Sequence, residues 1–269
     1  MRLRSWPLGP GAAALLLFSL SCGRPPFVVP GGAGVPAPEA PSAWSEATRH
    51  CRDLRTLSSE LRLSGRAGSA RGLRATILIG VTANGEIRLE ATAPFGGAVF
   101  VLAGEADRAT LVTREHQVLV APAADILEAL VGLALGPEAL LSVLSGCGVD
   151  EAPIEQSARH GEMLSVRSAE GRVFLRQGGG AWRVAAVQRG GLLIDYRLDP
   201  DEAVAWPEQL RLSSVPGEQP EIALSLSQSQ VDVDVTFPAE AFTVSLPAAP
   251  VAMTIEDLRA AGPLGERGP

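Results

Sequence analysis

The residues that could do chemistry are few and scattered. His50, His116 and His160 lie far apart in the chain. Cys51 adjoins His50, but no CxxC or HxxxH spacing accompanies the pair, so no metal site is expected. No GxSxG elbow is present, and no Ser/His/Asp trio is suggested by spacing. Gly178, Gly179 and Gly180 read as a turn before a strand. A phosphate loop would need a lysine and a following helix, and neither is there. Asp232 and Asp234 in VDVDV share one face of a strand. They could hold calcium, and a solvated strand face is the plainer reading. No catalytic residue, metal or cofactor is expected, so the chain does not read as an enzyme. Cys51 and Cys147 could pair in an oxidising compartment, tying a predicted N-terminal helix to the end of a central one. Two buried free thiols are the alternative.

The remaining cysteine points to a modification. Arg2 and Arg4 form a positive start, and Ala12 to Leu20 a short apolar run, too short to span a bilayer. The run ends in FSLSC, with Ser21 directly before Cys22. This resembles a bacterial lipobox, although Ser19 stands where Leu is usual. It implies cleavage before Cys22 and lipidation there, so residues 1–21 are expected to be a signal peptide. An ordinary secretory signal is the alternative. Gly23, rather than Asp, follows the cysteine, which is compatible with outer-membrane sorting. Residues 22–41 are rich in Pro, Gly and Ala and read as a semi-extended tether.

Composition narrows the classes. The chain has 269 residues, 46% of them hydrophobic and only 4% aromatic, so any core or cavity is mostly aliphatic. All 23 basic residues are arginine, and the formal net charge is -7. With no basic cluster, nucleic acid is not an expected partner.

A single apolar side chain stands out. In EIRLEATAPFGGAVFVLAG, residues 86 to 104, Ile87, Leu89 and Ala91 alternate with polar residues as in a strand with one wet face. Ala98 to Ala103 forms a second, nearly all-apolar strand. Pro94, Gly96 and Gly97 supply the turn and leave Phe95 at its tip. Phe95 either folds back onto the sheet or protrudes as an apolar finger toward a membrane or acyl chain.

These residues need elements to position them. A helix is expected from Ser42, as N-cap, to about Leu57. Strands follow at Leu61–Gly65 and Leu73–Ala83, closed by the hairpin signal Asn84-Gly85. After the Phe95 hairpin come strands at Ala109–Thr113 and Gln117–Ala121. Two apolar helices, Asp125–Leu133 and Glu138–Ser145, interrupt the strands, and Pro137 suits a helix start. Strands resume at Met163–Arg167, Val173–Gln177, Trp182–Gln188, Leu192–Leu198, Gln209–Ser214, Ile222–Ser227 and Val231–Thr236. Thr254 to Asp257, TIED, resembles a capping box for a short last helix. The fold class is mainly β with helices (α+β): residues 42–262 form a curved antiparallel sheet, or incomplete barrel, closed by helices.

The order of these elements resembles the LolA/LolB lipoprotein-carrier family, and its LolB branch above all, over roughly residues 42 to 246. The parallels are the N-terminal helix leading to LRLSGRAG (Leu61–Gly68), the loop Pro94-Phe95-Gly96 where LolB carries Pro-Leu-Gly, the helical pair within Asp125–Gly146, and the strand bearing Trp182. The departures are the imperfect lipobox, the longer tether and an extra segment from Pro247.

The resemblance implies an outer-membrane lipoprotein, acting as a monomer. It would take lipoproteins from a LolA-like periplasmic carrier and insert them into the membrane. Phe95 would be the insertion finger. Acyl chains would sit in an aliphatic cavity, with Leu89, Val99, Val101, Leu127, Leu130 and Val131 as cavity or lid candidates. Shielding one acyl chain from water is worth on the order of 10 kcal/mol, so such a cavity has something to do. The same residues could instead fill a core. The other readings are a carrier of a different lipid and a structural or assembly lipoprotein.

Overall fold

The computed structural model describes residues 25–67, 70–92, 98–148, 152–197, 206–217, 221–262 and 264. A two-residue strand β1 (Val35–Pro36) precedes helix α1 (Ala40–Ala47) and a short 3-10 turn at Arg49–Cys51. Six strands follow: β2 (Thr56–Ala67), β3 (Ala70–Thr82), β4 (Glu86–Thr92), β5 (Ala98–Glu105), β6 (Ala109–Thr113) and β7 (Gln117–Ala121). Two helices interrupt them, α2 (Ala123–Val131) and α3 (Pro137–Leu144). The second set of strands comprises β8 (Gln156–His160), β9 (Met163–Ser168), β10 (Gly171–Gly178), β11 (Ala181–Arg189), β12 (Leu192–Arg197), β13 (Gln209–Ser214) and β14 (Ile222–Val233). Strand β15 (Val251–Ala252) and helix α4 (Ile255–Ala261) end the described chain. Among the described residues no helix is long and apolar enough to cross a membrane.

The fifteen strands among the described residues belong to one curved, unclosed sheet in the order β1-β8-β9-β10-β11-β12-β13-β14-β2-β3-β4-β5-β6-β7-β15. Every pairing is antiparallel except β15 on β7. The two sets of strands meet where β14 runs against β2, with Leu226 opposite Leu63 and Leu224 opposite Gly65. Gly65 has φ +139°, and a Cβ there would meet the Ala223 carbonyl oxygen at 2.1 Å. The seam therefore closes at this point only with glycine.

The period-2 pattern of the sequence sets the two faces. In β4, Ile87, Leu89 and Ala91 are buried while the residues between them are partly exposed. The inward residues and the helices form one continuous core. Helix α1 lies over β8 to β11, α3 over β3, and α2 packs against α4.

Several expectations are corrected. Helix α1 is shorter than Ser42–Leu57, and its N-cap is Glu39, with Pro41 in the first turn. Proline lacks the N–H that this turn leaves unpaired, and its fixed φ starts the helix early. The chain turns at Arg49–Cys51 and enters β2 at Thr56, which pairs with Thr82. Strand pairing thus overrides the helical periodicity seen as far as Leu57. Ile222–Ser227 and Val231–Thr236 are not two strands. Ile222–Ser227 and Val231–Val233 share β14, which ends at Val233, with a register shift between Ser229 and Asp232 and Gln230 at φ +51°. A bulge absorbs the extra residue and lets one strand bend.

The tether reading also fails for the described part of residues 22–41. The Phe27 ring lies 5.2 Å from that of Phe174, and its N–H donates to Asp195 at 3.1 Å. Ala37 and Ala40 are buried, and β1 extends the sheet beside β8. At the other end, residues 234–250 cross the outer face as a strap. Phe237 fills the space over Gly80, where a Cβ would lie 3.0 Å from its ring. Arg88 donates to the carbonyls of Ala241 and Thr243 at 2.8 and 2.9 Å. The strap delivers β15 to the free edge of β7. The capping box forms: Thr254 Oγ accepts from the Asp257 N–H, and the Asp257 carboxylate accepts from the Thr254 N–H. The bond from the Thr254 N–H, and a second from the Thr254 hydroxyl at 2.8 Å, hold the Asp257 carboxyl below the usual carboxylate range.

Candidate functional site

The aliphatic interior is the feature with the size and chemistry of a site. No charged side chain is among the buried residues described; the buried polar ones are Thr48, Ser59, Thr82, Thr113, Ser145, Ser165, Ser168 and Gln228. Arginine and carboxylate side chains are kept out of it because an unpaired charge there would lose its hydration. Tyr196 faces inward on β12 at 3% exposure, and burial raises its phenol far above its ordinary range. It is therefore a neutral hydroxyl.

The six cavity and lid candidates fall in different places. Leu89, Leu127 and Leu130 are buried in the common core. Val99 and Val131 are half-buried and packed against it. Val101 lies across from Glu90 and Val112 and is half-buried, whereas Phe100 and Leu102 beside it are fully buried. The inward side chains of β5 are thus Phe100 and Leu102, one position out of step with the expected Val99 and Val101. The bulge between Ala91 and Thr92 sets this phase, and a strand apolar on both faces does not reveal it. Pro94, Phe95 and Gly96 lie outside the described residues, as does Cys22.

A crevice of about 650 Å³ opens between the 3-10 turn and α3. Trp44, Leu54, Ala83 and Leu141 give it an apolar lining, and Arg52, Arg55 and Glu138 add charge. Cys51 and Cys147 are joined by a disulfide that also lines it. A smaller crevice of about 330 Å³ lies between the α2–α3 connection and the β11–β12 turn, with Leu133, Leu135, Leu192 and Ile222 among its walls.

His50 is placed against the disulfide. Its Nε2 lies 3.3 Å from the Ser145 carbonyl oxygen, 3.5 Å from Cys51 Sγ and 3.9 Å from Cys147 Sγ. A carbonyl only accepts, so Nε2 carries the proton in that bond. The ring edge meets Trp206 with centroids 5.2 Å apart. Burial lowers the His50 pKa, the Ser145 carbonyl partly offsets this, and the Arg183 charge lowers it further. The imidazole is thus neutral near pH 7. His50, Cys51 and Cys147 have their ligand atoms close enough for one metal ion. The disulfide engages both sulfurs, so no thiolate is on offer there. Adjacent placement of His50 and Cys51 was visible in the sequence; the approach of Cys147 from 96 residues away was not.

No family model matches the sequence, and no curated protein matches it. Among solved structures, the chain is similar to a LolA superfamily protein from Nitrosomonas europaea, with TM-score 0.48, 11% identity, and coverage of 76% of this chain and 97% of that one. It is also similar to a domain described as outer membrane lipoprotein-sorting from Vibrio parahaemolyticus, with TM-score 0.44, 10% identity and coverage of 76% and 97%. These are likenesses of fold alone.

Proposed function

We propose that this protein is a lipid-anchored acceptor at the periplasmic face of the outer membrane. It takes lipoproteins from a LolA-like soluble carrier, holds their acyl chains against the interior of the sheet, and inserts them into the membrane through Phe95. Cys22 carries the anchor. The protein acts as a monomer, and the delivery itself makes and breaks no covalent bond.

The observation that carries this reading is an unclosed sheet covered by helices, with no charged side chain among the described buried residues. A hydrocarbon chain entering it would strip water from no ion, and each methylene moved out of water contributes about 0.8 kcal/mol. A closed barrel would have no such route in; here helices form the cover. The sequence Pro94-Phe95-Gly96 adds an apolar residue where the resembling family carries its insertion loop.

The test uses the mature chain with Cys22→Ser, studied by native mass spectrometry with an acylated peptide and its unacylated twin. Binding of the acylated peptide alone is the expected result. Binding of neither would remove the carrier reading. A Phe95→Glu variant should then keep acyl binding and lose delivery to vesicles. Loss of binding as well would reassign Phe95 to the core.

One observation favours a second reading. Leu89, Leu127 and Leu130 are packed in the core instead of lining an open space. A filled interior suits a structural or assembly lipoprotein that binds a protein partner by its sheet edge. That reading predicts no binding of either peptide.

A further inference from the structure

We propose that the Cys51–Cys147 disulfide is a thiol–disulfide exchange site, taking an incoming thiolate through the crevice beside it. This does not depend on acyl-chain binding.

Both cysteines line the 650 Å³ crevice, so a reagent of small-molecule size can approach the bond without unfolding the protein. The two sulfurs are not equivalent. Cys51 is half-buried, on the 3-10 turn, whereas Cys147 is only 5% exposed. Access therefore favours attack on Cys51 Sγ. The incoming thiolate forms a mixed disulfide with Cys51, the Cys51–Cys147 bond breaks, and its electron pair leaves on Cys147 as a thiolate. A second thiolate can attack the mixed disulfide, releasing the oxidised thiol as its own disulfide and leaving Cys51 reduced. Two thiols are oxidised and one protein disulfide is reduced.

The surroundings of Cys147 suit a leaving thiolate. The Ser145 hydroxyl lies 2.9 Å from Cys147 Sγ. It also lies 2.7 Å from the Leu141 carbonyl oxygen and 3.2 Å from that of Ser142. A disulfide sulfur is a weak acceptor, so the single hydroxyl proton favours a carbonyl while the bond is intact. A thiolate is a far stronger acceptor, and the hydroxyl need only rotate to reach it. His50 Nε2 lies 3.9 Å from Cys147 Sγ and 3.5 Å from Cys51 Sγ, and its N–H is also directed at the Ser145 carbonyl. Two donors thus stand ready for the charge that appears on Cys147, which lowers the pKa of the leaving group and speeds its departure. Opening the bond would free the 3-10 turn from the end of α3, on either side of the crevice.

The experiment treats the folded mature chain with glutathione in native buffer, and in a parallel arm with a reductase of the Cys-x-x-Cys type. Products are mapped by mass spectrometry. The expected result is reduction proportional to thiolate concentration, with the trapped adduct on Cys51 and no loss of native tryptophan fluorescence. Reaction with glutathione assigns the site to small thiols, and reaction with the reductase alone to a protein thiol. Reduction at a rate independent of thiol concentration in both arms, limited by unfolding, would overturn the proposal. So would an adduct on Cys147. Ser145→Ala should slow opening about fivefold. In a Cys51→Ala background, the Cys147 thiol should be alkylated at a lower pH than an ordinary thiol, and adding Ser145→Ala should move that profile back up. A profile that does not move would overturn the role given to Ser145.

Discussion

The interior is covered by helices held in two different ways. On one side, the turn after α1 is joined covalently to the end of α3 by Cys51–Cys147. On the other, α2 is held by packing against α4, with an Arg259–Glu128 pair at 3.7 Å whose side chains are both half exposed. An exposed pair of that kind contributes little. The covalent clip constrains the unfolded chain across 96 residues, whereas α2 depends on contacts made only in the folded state. The expectation is that the cover loosens first at α2 while the clipped side stays shut, unless the disulfide itself is opened.

Breaking the clip should have the largest effect. Replacing both Cys51 and Cys147 with serine is expected to cost about 2–5 kcal/mol, read from the denaturant midpoint of the oxidised protein against the variant. If stability is unchanged, the bond is not a structural restraint, and the contrast between the two sides collapses. Leu258→Ala attacks the other side. Leu258 is fully buried on α4, and its truncation should also cost about 2–5 kcal/mol. Hydrogen exchange should then rise in α2 before it rises at α3; equal rises at both would contradict separate attachment.

A smaller effect is expected from Thr254→Ala, which removes the α4 cap at about 1 kcal/mol. Its exchange signature should match that of Leu258→Ala in weaker form. The pH dependence sharpens the clipped side. The folded His50 pKa is depressed from 6.5, mainly by burial, so the unfolded chain binds the extra proton first. Stability attributable to His50 is complete above pH 6.5 and is lost as pH falls toward the folded pKa. His50→Gln should flatten this part of the curve, measured by thermal unfolding from pH 7.5 to 5. An unchanged slope would mean that another group carries it.

Some of this was legible in residue order. Alternation in β4, the Asn84-Gly85 turn, Pro137 at the start of α3 and the TIED cap are local signals with local causes. Each appears in the structure as steric preference and hydrogen-bond geometry require. The two cysteines could be named as a pair, but not brought together.

The sequence by itself determined the class of the molecule: strands with one apolar face, two apolar helices among them, and a mostly aliphatic interior. Those properties depend on side-chain type and on a period of two or 3.6 residues. Tertiary structure decided the rest. The phase of β5 follows a bulge, so Phe100 and Leu102 point inward where Val99 and Val101 were expected. A segment read as a tether is held by Phe174, β8 and Asp195, none of them near it in sequence. The strap over Gly80 and the meeting of His50, Cys51, Ser145 and Cys147 likewise join distant residues. Such contacts become favourable only after the sheet has closed the intervening loops, and for that reason no local pattern announces them.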